Sequence, residues 1–296
     1  MKHINRITLT MILMAFLLQA KAQRELENSM SQYFQSRMLW NPGFTGADGS
    51  KIYILQNRSW IGFDGAPVMT GVSGEFLFGA NSAAGLQVVS DLAGVLNRTT
   101  GVLNYAYRIK FRNEKQLRIG ISLLIANERL NTNYFAEQGG VADPMLVSSI
   151  NQQAQFDGNL GFVYTDRKLS IGACFYRLSE NFSAKNGGNA DLAFAQIGGG
   201  YDIDFNEKVQ LKPLMMLRMY RNTGSLLDIG AQFEYNKLFN AMLLYQTNGN
   251  VRTGLGLCLK DIADVNFFYN TNVKITNASS QQYELGIGFY LAKKKL

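Results

Sequence analysis

The sequence predicts an all-β protein, a transmembrane up-and-down antiparallel β-barrel of about 14 strands. Apolar residues alternate with small or polar residues at period two along most of the chain, as in strands with one apolar face. The segments between the strands are alternately short and long, and only 17% of the residues are charged. Short periplasmic turns, longer extracellular loops and an apolar band facing lipid are typical of an outer-membrane barrel.

The first 22 residues have the organisation of a secretory signal peptide. Lys2 and Arg6 precede an apolar run over 7–18, and Ala20-Lys21-Ala22 matches a cleavage site. The run is shorter than the roughly 20 residues of a spanning helix. The predicted division is a signal peptide over 1–22, a periplasmic or lumenal segment over 23–50 and the barrel over 51–296. Cleavage lowers the formal net charge from +7 to +4, which is too small to indicate nucleic-acid binding.

Alternation places the strands along the rest of the chain. Leu117, Ile119, Ile121 and the two next odd positions are apolar, whereas Arg118 and Ser122 belong to the other face. Pro213 cannot donate to a β-ladder, which predicts a bulge or a strand start at that point. The predicted strands lie near 51–58, 68–78, 83–91, 99–111, 115–127, 154–165, 168–178, 193–205, 208–219, 226–235, 238–246, 251–260, 264–270 and 281–291.

The connections separate the two rims of the barrel. Tight turns are predicted at 79–82, 112–114, 166–167, 206–207 and 236–237, and longer links at 59–67, 92–98, 128–153, 179–192 and 271–280. An even number of strands puts both termini on the short-turn side. A soluble β-sandwich also alternates, but it exposes a charged face. Here the non-apolar face holds glycines and isolated charges such as Arg118, Asp228 and Glu284, as expected of a lumen.

The sequence contains few of the residues that catalytic and metal sites commonly use. His3 is the only histidine and is lost with the signal peptide, whereas most nucleophile, general-base and zinc sites use an imidazole. Cys174 and Cys258 lie far apart, so a disulfide and two buried thiols both remain open. Asp202 and Asp204 are spaced to share a strand face, where they would bind a cation, act as acid and base or line a solvated lumen edge. No catalytic residue, metal ligand or cofactor is predicted.

Motifs near the N-terminus resemble those of a known family. A Ser-Gln-Tyr segment ends at Tyr33, an Asn-Pro-x-x-x-Gly turn spans Asn41 to Gly46, and the loop Trp-Ile-Gly-Phe-Asp-Gly-Ala-Pro spans Trp60 to Pro67. These motifs, in this order and spacing, resemble the PorP/SprF family of type IX secretion system membrane proteins. The similarity continues through Leu211-Lys212-Pro213 to Tyr283-Glu284-Leu285-Gly286 and covers nearly the whole mature chain.

The resemblance implies an outer-membrane component of protein secretion in Gram-negative bacteria, including those that glide by means of exported adhesins at the cell surface. The implied partners are outer-membrane lipid, secreted proteins with a C-terminal sorting domain and periplasmic components of the machine. The function expected is non-catalytic binding or anchoring of such cargo. A passive or substrate-selective channel is the alternative, because 14 strands lie between filled barrels and open porins.

Two groups of residues are the candidate sites. The link 128–153 mixes aromatic and aliphatic residues with polar ones, and both a docking loop and an inert loop fit it. Glycines permit sharp turns in the loop before the second strand, so its aromatic residues are expected to form a lumenal plug or a partner-docking element. The candidate residues of the N-terminal motif are Tyr33, Asn41, Pro42 and Gly46, and those of the loop are Trp60, Ile61, Gly62, Phe63, Asp64, Gly65 and Pro67.

Overall fold

The computed structural model describes residues 33–60, 65–130, 154–179, 194–220, 224–259, 262–274 and 281–291. Fifteen strands occur in this part of the chain. They are β1 Lys51–Ser59, β2 Val68–Phe78, β3 Ser82–Ala93, β4 Leu96–Lys110, β5 Gln116–Leu130, β6 Gln155–Asp166, β7 Leu169–Phe175, β8 Phe194–Tyr201, β9 Ile203–Asp204, β10 Val209–Tyr220, β11 Gly224–Tyr235, β12 Phe239–Gln246, β13 Asn250–Leu259, β14 Ala263–Asn272 and β15 Gln282–Tyr290.

The strands form one closed antiparallel barrel. Strands that follow each other in sequence are paired, except that β8 and β9 both pair with β10. β1 pairs with β15 from Lys51↔Tyr290 to Ser59↔Gln282, which removes the last open edge. Closure pairs the backbone groups that an open sheet would leave unpaired in hydrocarbon. Because β8 and β9 are two parts of one barrel strand separated by Asp202, the barrel has fourteen strands, which confirms the predicted fold class.

The alternation of side chains confirms the predicted faces. In β5 the odd positions from Ile121 to Ile125 are exposed, whereas Arg118, Gly120 and Ser122 are buried on the lumenal side. The same division holds in β11, where Ile229 and Phe233 face outward. The exposed apolar side chains therefore form the lipid-facing surface of a membrane barrel. No helix in the described ranges is long and apolar enough to cross a bilayer.

Two predicted details at the outer rim are wrong. The link 92–98 is a hairpin whose loop is only Gly94 and Val95, because Asp91 pairs with Arg98 in a continued ladder. Polar residues are tolerated there since the strand ends rise out of the hydrocarbon. The predicted strand 168–178 ends at Phe175. Beyond this residue, side chains of β6 accept the backbone hydrogen bonds in place of the β6–β7 ladder. Asp157 accepts a hydrogen bond from the backbone of Ser179, and Asn159 accepts one from Arg177.

Pro213 is neither a strand start nor a bulge. It lies inside β10 and opposite Ala231 of β11. On its other side the ladder is interrupted between Leu211↔Ile203 and Leu214↔Gly200, with an unchanged register. The missing N–H of proline therefore coincides with the break between β8 and β9. Asp202, at this break, donates its N–H to Lys168 O at 2.9 Å, which continues the ladder on the β7 side.

A charge in the lipid-facing band tests the assigned faces. Leu123→Arg places a guanidinium on the outward face at the middle of β5, and we expect it to lower the free energy of unfolding by about 2–4 kcal/mol. Thr99→Arg lies outward at the outer end of β4 and should cost about 0–1 kcal/mol. Urea unfolding from lipid vesicles measures both values. Equal losses would contradict the assigned depth of β5.

Candidate functional site

The segment between residues 33 and 50 lies inside the barrel, and we call it the N-terminal plug. It forms two 3-10 helices, Arg37–Leu39 and Pro42–Phe44. Asn41 caps the second helix, because its side chain accepts a hydrogen bond from Gly43 N at 2.8 Å, and Pro42 occupies the first helical position, where its missing N–H costs nothing. Thr45 Oγ1 donates to Pro42 O at 2.8 Å. The Asn-Pro-x-x-x-Gly motif therefore encodes a compact turn.

Three aromatic side chains of the plug form the centre of the lumenal core. The ring centroids of Tyr33 and Trp40 are 4.8 Å apart, and those of Trp40 and Phe44 are 4.9 Å apart. All three rings are buried. They form one cluster with apolar residues of β6, β10, β12 and β14: Val163, Leu214, Met216, Met242, Leu244 and Phe268. The plug therefore gives the lumen a hydrophobic core that the strands alone lack.

Asn41 joins the plug to the part of the barrel wall formed by β6 and β7. Its Nδ2 donates to Phe162 O of β6 at 3.3 Å and to Ala173 O of β7 at 3.1 Å. The same side chain thus caps the helix with its oxygen and bonds the barrel with its nitrogen. Asn41 is fully buried, and removal of one partner from a buried polar group costs about 1–3 kcal/mol.

Glycines of three neighbouring strands make room for this turn. A Cβ atom at Gly120 of β5 would overlap the backbone of Pro42, and one at Gly161 of β6 would overlap Asn41 Oδ1. At Gly172 of β7 a Cβ atom would lie 3.0 Å from Asn41 Nδ2. Alternation predicts the lumenal positions of Gly120 and Gly172, but not the common role of the three glycines, since period two does not show which segment a glycine faces.

Charged groups tether both ends of the plug. Lys51 Nζ donates to Gln35 O at 2.7 Å and lies 3.0 Å from Asp264 of β14. Glu75 of β2 accepts a hydrogen bond from Gly46 N at 2.7 Å. Gly46 has φ +68° and packs against Ala83, so this motif position requires glycine. These contacts come from β1, β2 and β14, which lie close together in the barrel wall. Asn41 is bonded to the distant strands β6 and β7, so the plug is held from two sides of the lumen.

Burial and an ion pair shift the pKa values of two plug residues. Burial raises the pKa of Tyr33 to about 12, so the phenol stays neutral at physiological pH. Burial lowers the pKa of Arg37, but the Asp48 carboxylate outweighs it and the net shift is upward. Arg37 Nε donates to Asp48 Oδ2 at 3.0 Å, and its guanidinium lies 4.6 Å from the centroid of Phe44. The plug thus keeps an internal ion pair.

The second motif begins at the outer rim. Trp60 has φ 53° and a side chain that is 44% exposed, and its N–H donates to Gln281 O at 3.0 Å. Gly65 O accepts from Gly94 N at 3.0 Å, and Pro67 O accepts from Ser59 N at 3.0 Å. Ile61, Gly62, Phe63 and Asp64 lie outside the described residues, as does most of the link 128–153. The described ends therefore connect β1 with β15 and the β3–β4 hairpin.

The two aspartates of the break between β8 and β9 have different surroundings. Asp204 is exposed and pairs with Lys168 at 2.9 Å and with Gln210 at 2.6 Å. Asp202 is half-buried, and its backbone N–H donates to Lys168 O. In the described part of the chain, no group of three His, Cys, Asp or Glu side chains is placed to hold a metal ion. Cys174 and Cys258 are not joined by a disulfide.

Buried charges line the outer half of the lumen. Arg218 of β10 forms a bidentate ion pair with Asp228 of β11, with the shortest N–O distance at 2.7 Å, and Gln246 donates to the same carboxylate at 2.8 Å. On the other side, Asn57 donates to Glu284 at 3.2 Å. Alternation predicted that Asp228 and Glu284 face the lumen, but it gave no sign of their partners.

A family profile described as type IX secretion system membrane protein PorP/SprF matches residues 22–289. The chain belongs to the PorP/SprF family. This confirms the resemblance inferred from the motifs, and it places this PorP/SprF protein among the membrane components of a secretion system. With the barrel fold, it assigns the protein to the Gram-negative outer membrane. No curated protein matches the chain.

Solved outer-membrane barrels resemble this PorP/SprF protein in fold. The Acinetobacter baumannii outer membrane protein Omp33 is 7% identical, with 82% of this chain and 98% of Omp33 covered and a TM-score of 0.50. The CymD monoaromatic hydrocarbon channel is 16% identical, with 91% and 94% covered and a TM-score of 0.49. The likeness to Omp33 shows a shared barrel architecture.

A methyl group at Gly120 tests the fit of the plug. Gly120→Ala would place a Cβ atom in the space of Pro42, and we expect it to lower the free energy of unfolding by about 1–3 kcal/mol through overpacking. Gly101 of β4 has only Ile125 O within 4.0 Å of an added Cβ atom, so Gly101→Ala should leave stability unchanged or raise it. Urea unfolding of both variants measures the difference, and equal stabilities would refute the packing of the plug against β5.

Proposed function

We propose that this PorP/SprF family member is a non-catalytic component of the type IX secretion system that binds or anchors secreted cargo with a C-terminal sorting domain. The observation that carries the proposal is the N-terminal plug. Trp40, Asn41 and Phe44 are almost fully buried in the lumen. Asn41 and the Trp40 carbonyl are hydrogen-bonded to the walls. A barrel filled in this way supplies surfaces for partners in place of an aqueous path.

The composition of the plug favours a permanent element over a gate. Its core is aromatic, Asn41 satisfies two wall carbonyls, and Lys51 and Glu75 hold its ends. Withdrawal of this segment would transfer its aromatic cluster from the packed lumen to water and break its hydrogen bonds to the walls, which costs free energy. In this proposal, cargo and machinery contact the two rims, and the periplasmic components meet the end from which the plug emerges.

Loss of the gene tests the proposal. We expect a deletion strain to lose surface display of sorting-domain cargo and to regain it with the wild-type gene. The purified protein should give no steady ion conductance in planar bilayers. Unchanged cargo display in the deletion strain together with steady conductance of the purified protein would overturn the binding function and support a passive or substrate-selective channel.

The loop from Trp60 to Pro67 is the proposed docking element at the outer rim. The exposed indole of Trp60 supports docking over inward plugging, and the Gly65–Gly94 hydrogen bond ties the loop to the β3–β4 hairpin. Aromatic side chains at such positions often carry much of the binding energy of an interface.

Alanine substitutions in this loop separate docking from folding. We expect Trp60→Ala combined with Phe63→Ala to lower the amount of cargo retained on the cell surface at least about tenfold, because anchor residues contribute about 2 kcal/mol or more. Barrel assembly should be unchanged, as judged by heat-modifiable electrophoretic mobility. Phe156→Ala removes an exposed aromatic from the lipid-facing surface of β6 and should retain cargo normally. Loss of the folded barrel in the double variant would instead assign the two residues to the core.

A further inference from the structure

Four neighbouring periplasmic turns carry an excess of positive charge. They follow β4, β6, β9 and β11. These turns are consecutive on the periplasmic rim, so they form a continuous arc. The turn after β2, Gly79 to Asn81, has no charged residue. The turns of the arc and the strand ends beside them hold seven basic and four acidic residues: Lys110, Arg112, Lys115, Arg167, Lys168, Lys208, Lys237, Glu114, Asp166, Asp204 and Glu207.

Ion pairs between successive turns use the acidic residues unevenly. Lys115 lies 3.6 Å from Asp166, Arg167 lies 3.9 Å from Glu114, and Lys168 lies 2.9 Å from Asp204. Exposed pairs of this kind contribute little to stability. Their effect on the charge pattern is larger, since they neutralise three of the four acidic side chains. The bases outside these pairs are Lys110, Arg112, Lys208 and Lys237, and Glu207 is the one acidic residue of the arc outside them.

Outward aromatic rings fix the depth of these cations in the membrane. Phe111 precedes Arg112, Phe205 is three residues before Lys208, and Tyr235 is two residues before Lys237. Tyr235 is exposed on the lipid-facing side of β11. Phe111 and Phe205 are exposed directly after the last residues of β4 and β9, at positions that continue the outward-facing alternation. Rings at this end of a barrel lie at the level of the lipid headgroups. The neighbouring cations therefore lie at the level of the phosphates.

We propose that Arg112, Lys208 and Lys237 bind the phosphate groups of anionic phospholipids in the periplasmic leaflet of the outer membrane. Their positions next to the lipid-facing rings favour lipid over an acidic protein, because they lie on the perimeter of the barrel and are continuous with its lipid contact. Arg112 offers a planar fork of donors to phosphate, and the two lysines offer point charges. Three such contacts along one arc set the depth and tilt of the barrel.

Lipid retention tests this site with the intact mature protein. The protein is equilibrated with equal amounts of phosphatidylglycerol and phosphatidylcholine in mild detergent, and the bound lipids are counted by native mass spectrometry. We expect the wild type to retain more phosphatidylglycerol than phosphatidylcholine. In the triple variant Arg112→Gln, Lys208→Gln, Lys237→Gln, the ratio of retained phosphatidylglycerol to phosphatidylcholine should fall at least about fivefold. This is the scale expected for one cation near an anionic surface.

A charge-preserving variant is the matched control. Arg112→Lys, Lys208→Arg, Lys237→Arg keeps all three charges and should keep the preference for phosphatidylglycerol, which should also weaken at high salt. Unchanged heat-modifiable mobility shows that each variant is folded. Equal retention of the two lipids by the wild type, or an unchanged preference in the folded glutamine variant, would overturn the proposal.

Discussion

The interior of this barrel depends on the hydrogen bonds by which the Asn41 side chain joins the plug to the barrel wall. One side chain caps the second 3-10 helix and donates to carbonyls of β6 and β7, while Gly120, Gly161 and Gly172 keep the space clear. A barrel of this strand number encloses more volume than its own lumenal side chains fill. The aromatic cluster around Trp40 fills that volume only because Asn41 holds it at the correct height and rotation.

The plug also explains why the lumenal face of β1 carries a buried lysine. Its lumenal residues include Lys51 and Tyr53, which are both buried, and Lys51 donates a hydrogen bond to the plug. Lys51 is surrounded by the carbonyl of Gln35, the carboxylate of Asp264 and the rings of Tyr53 and Tyr290. A lysine placed in this way costs desolvation energy that only several partners together offset. The strand that follows the plug is therefore selected for contact with the plug as well as with lipid.

Much of the fold was readable from the sequence, and the failures have identifiable causes. Alternation located all fourteen barrel strands, because the lipid face of β5 or β11 demands apolar residues at every second position. It failed at 92–98, where Asp91 and Arg98 are polar yet paired, since the hairpin continues beyond the bilayer. It also failed after Phe175, where Asp157 and Asn159 end the ladder through side-chain bonds. Neither effect has a periodic signal.

The sequence by itself determined the membrane barrel, its lipid-facing surface and its membership of the PorP/SprF family, because these properties reside in local alternation and in contiguous motifs. Only the tertiary structure decided that the motif from Asn41 to Gly46 fills the lumen, whereas Trp60 lies exposed at the outer rim. Asn41 and its carbonyl partners are 121 and 132 positions apart. Contacts across a closed lumen follow from the register and curvature of all the strands together, and no local pattern of residues specifies them.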